Sequence, residues 1–265
     1  MDTIRIAAPN YAQEEKGKPK EFRCLRLRAE DLRPNLDNIN AQIERGSIQM
    51  LQINCRESYD ASSLSGIRNI EILHLVSDKP IELPDAESKV EGLKALYCCS
   101  KSFQCEAFPQ IEYLEISNID FSRSSFRGAS SLRKLYALNF RSDDGASQLS
   151  HAQKLEEIDL FSSKSIKNLD SVSKLVDLKK ISLTRLGGVT SLDPLSKLKY
   201  LEVLVLVKMK NIESYRAIRH LTSLRKLVIT ESAPIDFLDS AQTGSLELFG
   251  VHGTKILDGA HPEEG

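Results

Sequence analysis

One pattern of apolar positions repeats eleven times between Phe22 and Val251: an apolar residue, two variable residues, an apolar residue, one variable residue and a third apolar residue. One clear copy is Leu201-Leu204-Leu206. The middle apolar residue of each copy, called the anchor below, forms this series: Leu25, Leu51, Leu73, Leu96, Leu114, Leu135, Ile158, Ile181, Leu204, Leu227 and Phe249. Successive anchors are 26, 22, 23, 18, 21, 23, 23, 23, 23 and 22 residues apart. A nearly fixed period of this size predicts stacked supersecondary units.

The spacing within one repeat predicts its local structure. Apolar residues two apart at the anchor predict a short strand with one buried face. Apolar residues then recur eight and eleven positions after the anchor, as with Val189 and Leu192 after Ile181, and this spacing of three predicts a short helix or 3₁₀ segment. Asp193-Pro194 lies where such a helix should begin, with Asp suited to the N-cap and Pro to the first turn. Gly187-Gly188 lies where the chain must turn away from its strand.

A single repeat leaves its apolar side open to solvent. Stacked neighbouring repeats cover that side and build a continuous core. In these repeats the chain resembles the leucine-rich repeat proteins, over roughly residues 22–257. The resemblance implies an α/β solenoid of horseshoe form with about eleven rungs, a parallel sheet on the concave face and short helices or extended segments on the convex face. We expect residues 1–47 to form an N-terminal cap and first rung, residues 48–257 the solenoid, and residues 258–265 a polar tail.

Three departures from the family pattern carry expectations of their own. The position five residues after the anchor holds no asparagine ladder, so we expect looser turns, packed by apolar residues where those occur. The 18-residue step from Leu96 to Leu114 leaves little room for a helix and predicts an extended return containing Cys105 and Pro109. Residues 136–154 have a weak apolar pattern, and the run Arg141-Ser142-Asp143-Asp144-Gly145 predicts an exposed loop.

The two ends of the repeat need caps, because a terminal rung otherwise exposes its core. Ile4 and Ile6 are expected to pair with the first rung, and Asp31 to Arg45 to form a helix broken near Pro34. No amphipathic helix follows Ile256, so this end should carry a short strand-like cap or be buried against another chain, with self-association through the C-terminal edge.

The charge balance and the apolar segments of the chain restrict the kinds of partner that are expected. There are 36 Lys plus Arg and 37 Asp plus Glu, giving a formal net charge of −1, so no excess of cations favours nucleic acid or an anionic membrane. No segment approaches the roughly 18 apolar residues of a membrane helix, and the N-terminus is not of the secretory type. The five cysteines are irregularly spaced and do not indicate a disulfide framework. A cytoplasmic, reduced location is expected.

Residues on either side of an anchor should point away from the core, and aromatic and acidic side chains gather at these positions in the middle repeats, with valines in later ones. Aromatic side chains surrounded by charged ones are typical of protein-binding hot spots. The other interpretation is that a sheet face tolerates such residues or that a loop covers them. The candidate protein-binding residues are Tyr97, Tyr113, Glu115, Tyr136, Glu157, Asp159, Phe161, Val203, Val205 and Val228.

Other chemistry is weakly indicated. Glu115, Glu157 and Asp159 could form a catalytic pair or a metal site, but no nearby His completes a ligand set. Cys98 is expected in the core, and Cys98-Cys99 with Cys105 lacks the paired spacing of a zinc site. We therefore expect no catalytic residues, no metal and no cofactor, and a protein partner with a basic patch that matches the acidic side chains.

The function that these features favour is a non-catalytic protein-binding module, not an enzyme. Within that class we expect an inhibitor or immunity-type protein that neutralises a toxin or enzyme by binding it through the concave face. The alternatives are a regulatory scaffold or adaptor, and an effector delivered into another cell.

Overall fold

The computed structural model describes residues 2–7, 21–55, 59, 61–142, 146–236 and 246–257. It divides into two compact units, residues 1–135 (unit 1) and residues 136–265 (unit 2). The strands are β1 Asp2–Ala7, β2 Glu21–Arg28, β3 Met50–Asn54, β4 Ile72–Val76, β5 Ala95–Cys99, β6 Tyr113–Ser117, β7 Lys134–Leu138, β8 Glu157–Ser163, β9 Lys180–Leu186, β10 Val203–Val207, β11 Lys226–Thr230, β12 Ile235–Asp236, β13 Leu248–His252 and β14 Ile256–Leu257. The helices are α1 Ala29–Leu32 and α2 Leu36–Glu44.

Every predicted anchor lies in a strand, and the anchors of β2 to β6, and those of β8 to β11 and β13, pair with one another. In unit 1 the parallel strands β2 to β6 align Leu25, Leu51, Leu73, Leu96 and Leu114. In unit 2 the parallel strands β8, β9, β10, β11 and β13 align Ile158, Ile181, Leu204, Leu227 and Phe249. Anchor-to-anchor register of parallel strands confirms the leucine-rich repeat solenoid fold.

The alternation of buried and accessible residues along each strand places the core on one face of the sheet. In β10, Leu204 and Leu206 are fully buried, whereas Val203, Val205 and Val207 are half-buried. Because successive side chains of a strand point to opposite faces, the residues just before and just after each anchor share the face away from the core. That face is called the outer face below.

Two structural elements predicted near the N-terminus are present: a strand paired with the first rung and an interrupted helix. β1 pairs antiparallel with β2, with Ile4 opposite Cys24 and Ile6 opposite Phe22. Residues 29–44 form α1, a 3₁₀ turn over Arg33–Asn35 and then α2, so the helix is interrupted at Pro34 as expected. The fixed φ of proline and its missing N–H are compatible with the start of a new helical segment but not with a helix interior.

Short 3₁₀ helices carry the chain back between strands, as the three-residue spacing predicted. They are Ala61–Gly66, Cys105–Ala107, Phe121–Arg123, Ser147–His151, Val172–Lys174, Asp193–Lys197 and Arg216–His220. The N-cap role expected of Asp193 is wrong: this residue is already helical, and its neighbour Leu192 caps the segment without a side-chain hydrogen bond. Gly188 forms the expected turn, where an added Cβ would lie 2.3 Å from the carbonyl oxygen of Ile166.

The 18-residue step differs from its prediction. Cys105 lies in the 3₁₀ turn Cys105–Ala107, not in an extended return. The shortened rung is filled by a fully buried cluster of four rings, in which Phe103 lies 5.5 Å from both Phe108 and Phe126, and Phe126 lies 5.8 Å from Phe121. Each of these rings buries a large apolar area.

Apolar packing and serine hydroxyls take the place of the asparagine ladder. Five residues after their anchors, Ile119, Phe140, Leu186 and Met209 are buried, as predicted. Where Ser232 occupies this position, its hydroxyl oxygen accepts from the Met209 N–H at 3.1 Å. The preceding residue has a left-handed backbone in seven successive rungs: Asn118, Asn139, Ser162, Arg185, Lys208, Glu231 and Gly253.

The described C-terminal region ends in short strands rather than a capping helix, in line with the expectation. β14 pairs with β12, with Ile235 opposite Ile256, and β13 exposes Leu248 by 50% and the anchor Phe249 by 42%. The expected polar tail at 258–265 lies outside the described residues. Among those that are described, no helix is long and apolar enough to cross a membrane.

The expected loop near residue 141 is only partly described, because residues 143–145 lie outside the described ranges. Arg141 is exposed, as predicted, but Ser142 is fully buried, so that part of the prediction is wrong. The backbone N–H of Ser142 donates to the hydroxyl oxygen of Ser165 at 2.7 Å. This bond ties the start of the segment to the next rung.

Candidate protein-binding face

The ten candidate residues are divided between the two units. Unit 1 carries Tyr97, Tyr113 and Glu115, all on β5 and β6. Unit 2 carries the remaining seven: Tyr136, Glu157, Asp159, Phe161, Val203, Val205 and Val228. Each unit therefore carries its own set of candidate residues.

Tyr113 was predicted to be exposed, and the structure corrects this: the side chain is only 1% exposed. Its ring lies 5.1 Å from the ring of Tyr97, which is itself 9% exposed, and its hydroxyl donates to Glu115 Oε2 at 2.9 Å. Its neighbour in register is Ala95, whose small side chain leaves space for the tyrosine ring. Tyr113 is thus a packed residue of unit 1 rather than an accessible binding residue.

The burial of Tyr113 is part of a longer column. In β2 to β6 of unit 1 the residue just before each anchor is at most 3% exposed, and these residues pair in register from strand to strand: Cys24, Met50, Ile72, Ala95 and Tyr113. Beside them on the outer face, Arg26 donates to Gln52 Oε1 at 2.9 Å, and the ring of His74 lies 5.8 Å from that of Tyr97. Burial, together with the positive charge of Arg26, lowers the pKa of His74.

The thiols of unit 1 belong to its interior. All five cysteines are buried and free, and Cys98 lies in the core as expected. Burial raises the pKa of Cys55 and of Cys105 to about 12, so both remain protonated thiols at neutral pH. Within the described ranges, no group of three or more His, Cys, Asp or Glu side chains is placed to hold a metal ion.

In unit 2 the aromatic and acidic residues stand on β7 and β8. Glu157 accepts a hydrogen bond from the Tyr136 hydroxyl at 3.3 Å and forms an ion pair with Lys180 at 3.2 Å. Its side chain is only 16% exposed, so much of its charge is already compensated within the protein. The guanidinium of Arg185 lies 5.8 Å from the centre of the Phe161 ring, at cation–π distance.

The apolar part of this surface lies on β10 and β11. Val205 pairs in register with Val228, and Val203 and Val207 flank Val205 on the same face of β10. We call Val203, Val205, Val207 and Val228 the valine patch; all four side chains are half-buried. Because paired strands lie about 4.8 Å apart, the four side chains form one contiguous apolar surface.

Lysines border the valine patch, and our sequence-based choice of site residues omitted them. Val203 is paired in register with Lys180 on one side and with Lys226 on the other, and both lysines are exposed. At the far end of the strands, exposed Arg185 lies near the end of β9, and half-buried Lys208 follows β10. The signal for these cations was present in the sequence, because Lys180 and Lys226 occupy the position just before an anchor.

A second set of charges runs along the edge where the strands of unit 2 begin. Lys179 pairs with Glu156 at 2.8 Å, Arg225 lies 3.8 Å from Glu202, and Arg225 also pairs with Glu247. These pairs join residues 22 or 23 positions apart in successive rungs. Exposed pairs of this kind contribute little stability each, but they leave this edge close to neutral.

Comparison with known proteins gives similarity at the level of solved structures. No protein-family model matches the sequence, and no curated protein does. An internalin (inlF) of Listeria monocytogenes has 17% identity over 78% of this chain and 67% of its own, with a TM-score of 0.49. Internalin C2 of the same bacterium has 14% identity over 74% and 90%, with a TM-score of 0.43. A leucine-rich repeat protein of Leptospira interrogans has 10% identity over 88% and 83%, with a TM-score of 0.40.

Proposed function

We propose that this chain is a non-catalytic protein-binding module that holds a partner against the outer face of unit 2. The observation that carries the proposal is the valine patch: four neighbouring valines keep part of their apolar surface open to solvent. Contiguous apolar surface on a folded protein commonly marks an interaction site, because covering it removes apolar area from water. The polar and charged side chains around it match the rim of a typical interface.

The finer proposal is inhibition of the partner, in the manner of an immunity protein. Glu157, whose charge is compensated by Lys180 and by the Tyr136 hydroxyl, supports a surface that binds without reacting. Such a module acts on an enzyme or toxin by occupying the surface its target needs. A toxin as the target, and a cytoplasmic location, belong to this proposal and to its test.

The experiment is affinity capture from cells that express the chain, quantified by mass spectrometry. Replacing Val205 and Val228 together by Asp should abolish capture of the partner, because charge enters the apolar contact. Val176→Asp is the matched control, since Val176 is 50% exposed and lies in unit 2 outside the outer face. Undiminished capture by the Val205/Val228 double variant would disprove binding through this surface.

Two further experiments distinguish a loss of folding from a loss of binding, and an inhibitor from an adaptor. Val205→Thr with Val228→Thr keeps the β-branched shape and should weaken capture while leaving the folded fraction unchanged by circular dichroism. Titrating the captured partner with the purified chain should remove the partner's activity stoichiometrically. Retention of several partners at full activity would indicate an adaptor instead.

A further inference from the structure

We infer that the partner of unit 2 presents an apolar segment flanked by carboxylates, so that it is acidic where it meets this chain. The inference rests on the proposed function and deepens it by naming the chemistry of the partner. It also reverses the expectation of a basic partner, which had been based on Glu115, Glu157 and Asp159. The reversal follows from which charges of the outer face are compensated within the protein and which are not.

Two carboxylates of unit 2, those of Glu157 and Glu231, are engaged in ion pairs within the protein. Glu157 contacts both Lys180 and the Tyr136 hydroxyl, as described above. Glu231, at the far end of β11, pairs with Lys208 at 3.4 Å. Asp159 is half-buried and lies two strands from Val205, with Ser182 between them in register. A basic partner would have to break or compete with the contacts of Glu157 and Glu231 to gain either carboxylate.

Two cations of the same face have no such compensation. The described residues place no carboxylate within ion-pair distance of Lys226 or Arg185. Lys226 stands beside Val203 at one end of the valine patch, and Arg185 lies beyond the other end, stacked on Phe161. Cations at opposite ends of an apolar strip are complementary to a segment with carboxylates at both ends.

The spacing sets the size of that segment. From the level of Lys226 and Val203 to the level of Arg185 is five residues along the strand, or about 17 Å at 3.3 Å per residue. Lys180 and Lys226 stand two strand spacings apart, about 10 Å, with Val203 between them. An extended segment of about five residues, apolar at its centre and acidic at its ends, fits both dimensions.

The probe for this inference is a displayed library of random peptides, selected on the immobilised full chain. Peptides recovered on the wild type should be enriched in Asp and Glu flanking apolar residues. The same enrichment should be lost on Lys226→Glu and retained on Lys174→Glu, a matched control whose exposed lysine lies in the 3₁₀ helix Val172–Lys174. An individual acidic peptide should bind Lys226→Glu about tenfold more weakly, the effect of about 1.4 kcal/mol.

The outcomes distinguish this inference from the proposed function. Enrichment of Lys and Arg on the wild type, or equal affinity of the acidic peptide for wild type and Lys226→Glu, would overturn the acidic partner while leaving the valine patch as the binding surface. Recovery of the same peptides by the Val205/Val228 aspartate variant would overturn both. Raising the salt concentration should weaken the acidic peptide on the wild type more than on Lys226→Glu, because screening acts on the charge that the variant removes.

Discussion

The two units contain the same repeat, but they differ in the burial of the residue just before the anchor. In β2 to β6 of unit 1 this column is Cys24, Met50, Ile72, Ala95 and Tyr113, and all five are buried. In unit 2 the aligned column is Glu157, Lys180, Val203, Lys226 and Leu248, and all five retain exposure. The repeated apolar positions thus determine which residues build the core beneath the sheet. The variable positions determine whether the residues of the outer face are buried or accessible to solvent.

The largest expected effect comes from placing a lysine at the position just before an anchor, once in unit 1 and once in unit 2. Ile72→Lys should destabilise unit 1 by about 3–5 kcal/mol, because a fully buried site must accommodate an ammonium group. Val203→Lys is the matched change in unit 2 and should cost less than about 1 kcal/mol, because the long side chain can reach solvent. Chemical denaturation of both variants measures the difference, and equal losses would show that the two columns are not distinct.

Tyrosines provide the next comparison. Tyr113→Ala should lower the free energy of unfolding by about 3–4 kcal/mol through loss of a buried ring and the cavity left behind. Tyr136→Ala, at a half-buried position, should cost about 1 kcal/mol or less. Tyr113→Phe separates packing from the hydroxyl bond to Glu115, which should account for about 1 kcal/mol. A Tyr113→Ala variant as stable as Tyr136→Ala would contradict the burial of this side chain.

The smallest expected effect concerns the pH dependence of unit 1. Because the folded-state pKa of His74 lies below its ordinary value of 6.5, the unfolded chain binds a proton first as the pH falls. Stability should therefore decrease as the pH drops below about 6.5, and His74→Gln should reduce this decrease. Denaturation between pH 7.5 and about 5 measures it. His220→Gln, at an exposed position of unit 2, serves as the control, and an unchanged pH profile for His74→Gln would refute the assignment.

Much of the fold was predictable because it depends on local spacing. The anchors, the 3₁₀ returns, the interrupted helix near Pro34 and the pairing of Ile4 with the first rung follow from periodicity and from the restrictions on proline. The details that failed depend on neighbours distant in sequence. Cys105 enters a 3₁₀ turn where its N–H reaches the carbonyl of Ser125, and Ser142 is buried against Ser165.

The candidate site was less predictable than the fold. Alternation placed Val205 and Val228 on the outer face, and the structure adds that they are neighbours in register. Alternation could not show that Tyr113 is buried, because the same spacing gives an accessible residue on β8 and an enclosed one on β6. The column just before the anchor did contain a signal, since it is apolar in β2 to β6 of unit 1 and charged at three of five positions in unit 2.

The sequence by itself determined the repeat, the anchors and the face on which each variable residue stands, because these follow from the two-residue period of a strand and the fixed length of a rung. Only the tertiary structure decided which outer residues are accessible and which charges are compensated. Burial and ion pairing depend on contacts between residues of successive rungs, such as Glu157 with Lys180, 23 positions apart, and Tyr113 with Tyr97, 16 positions apart. Those contacts turn two similar stretches of sequence into an enclosed face in unit 1 and an open, cation-bordered face in unit 2.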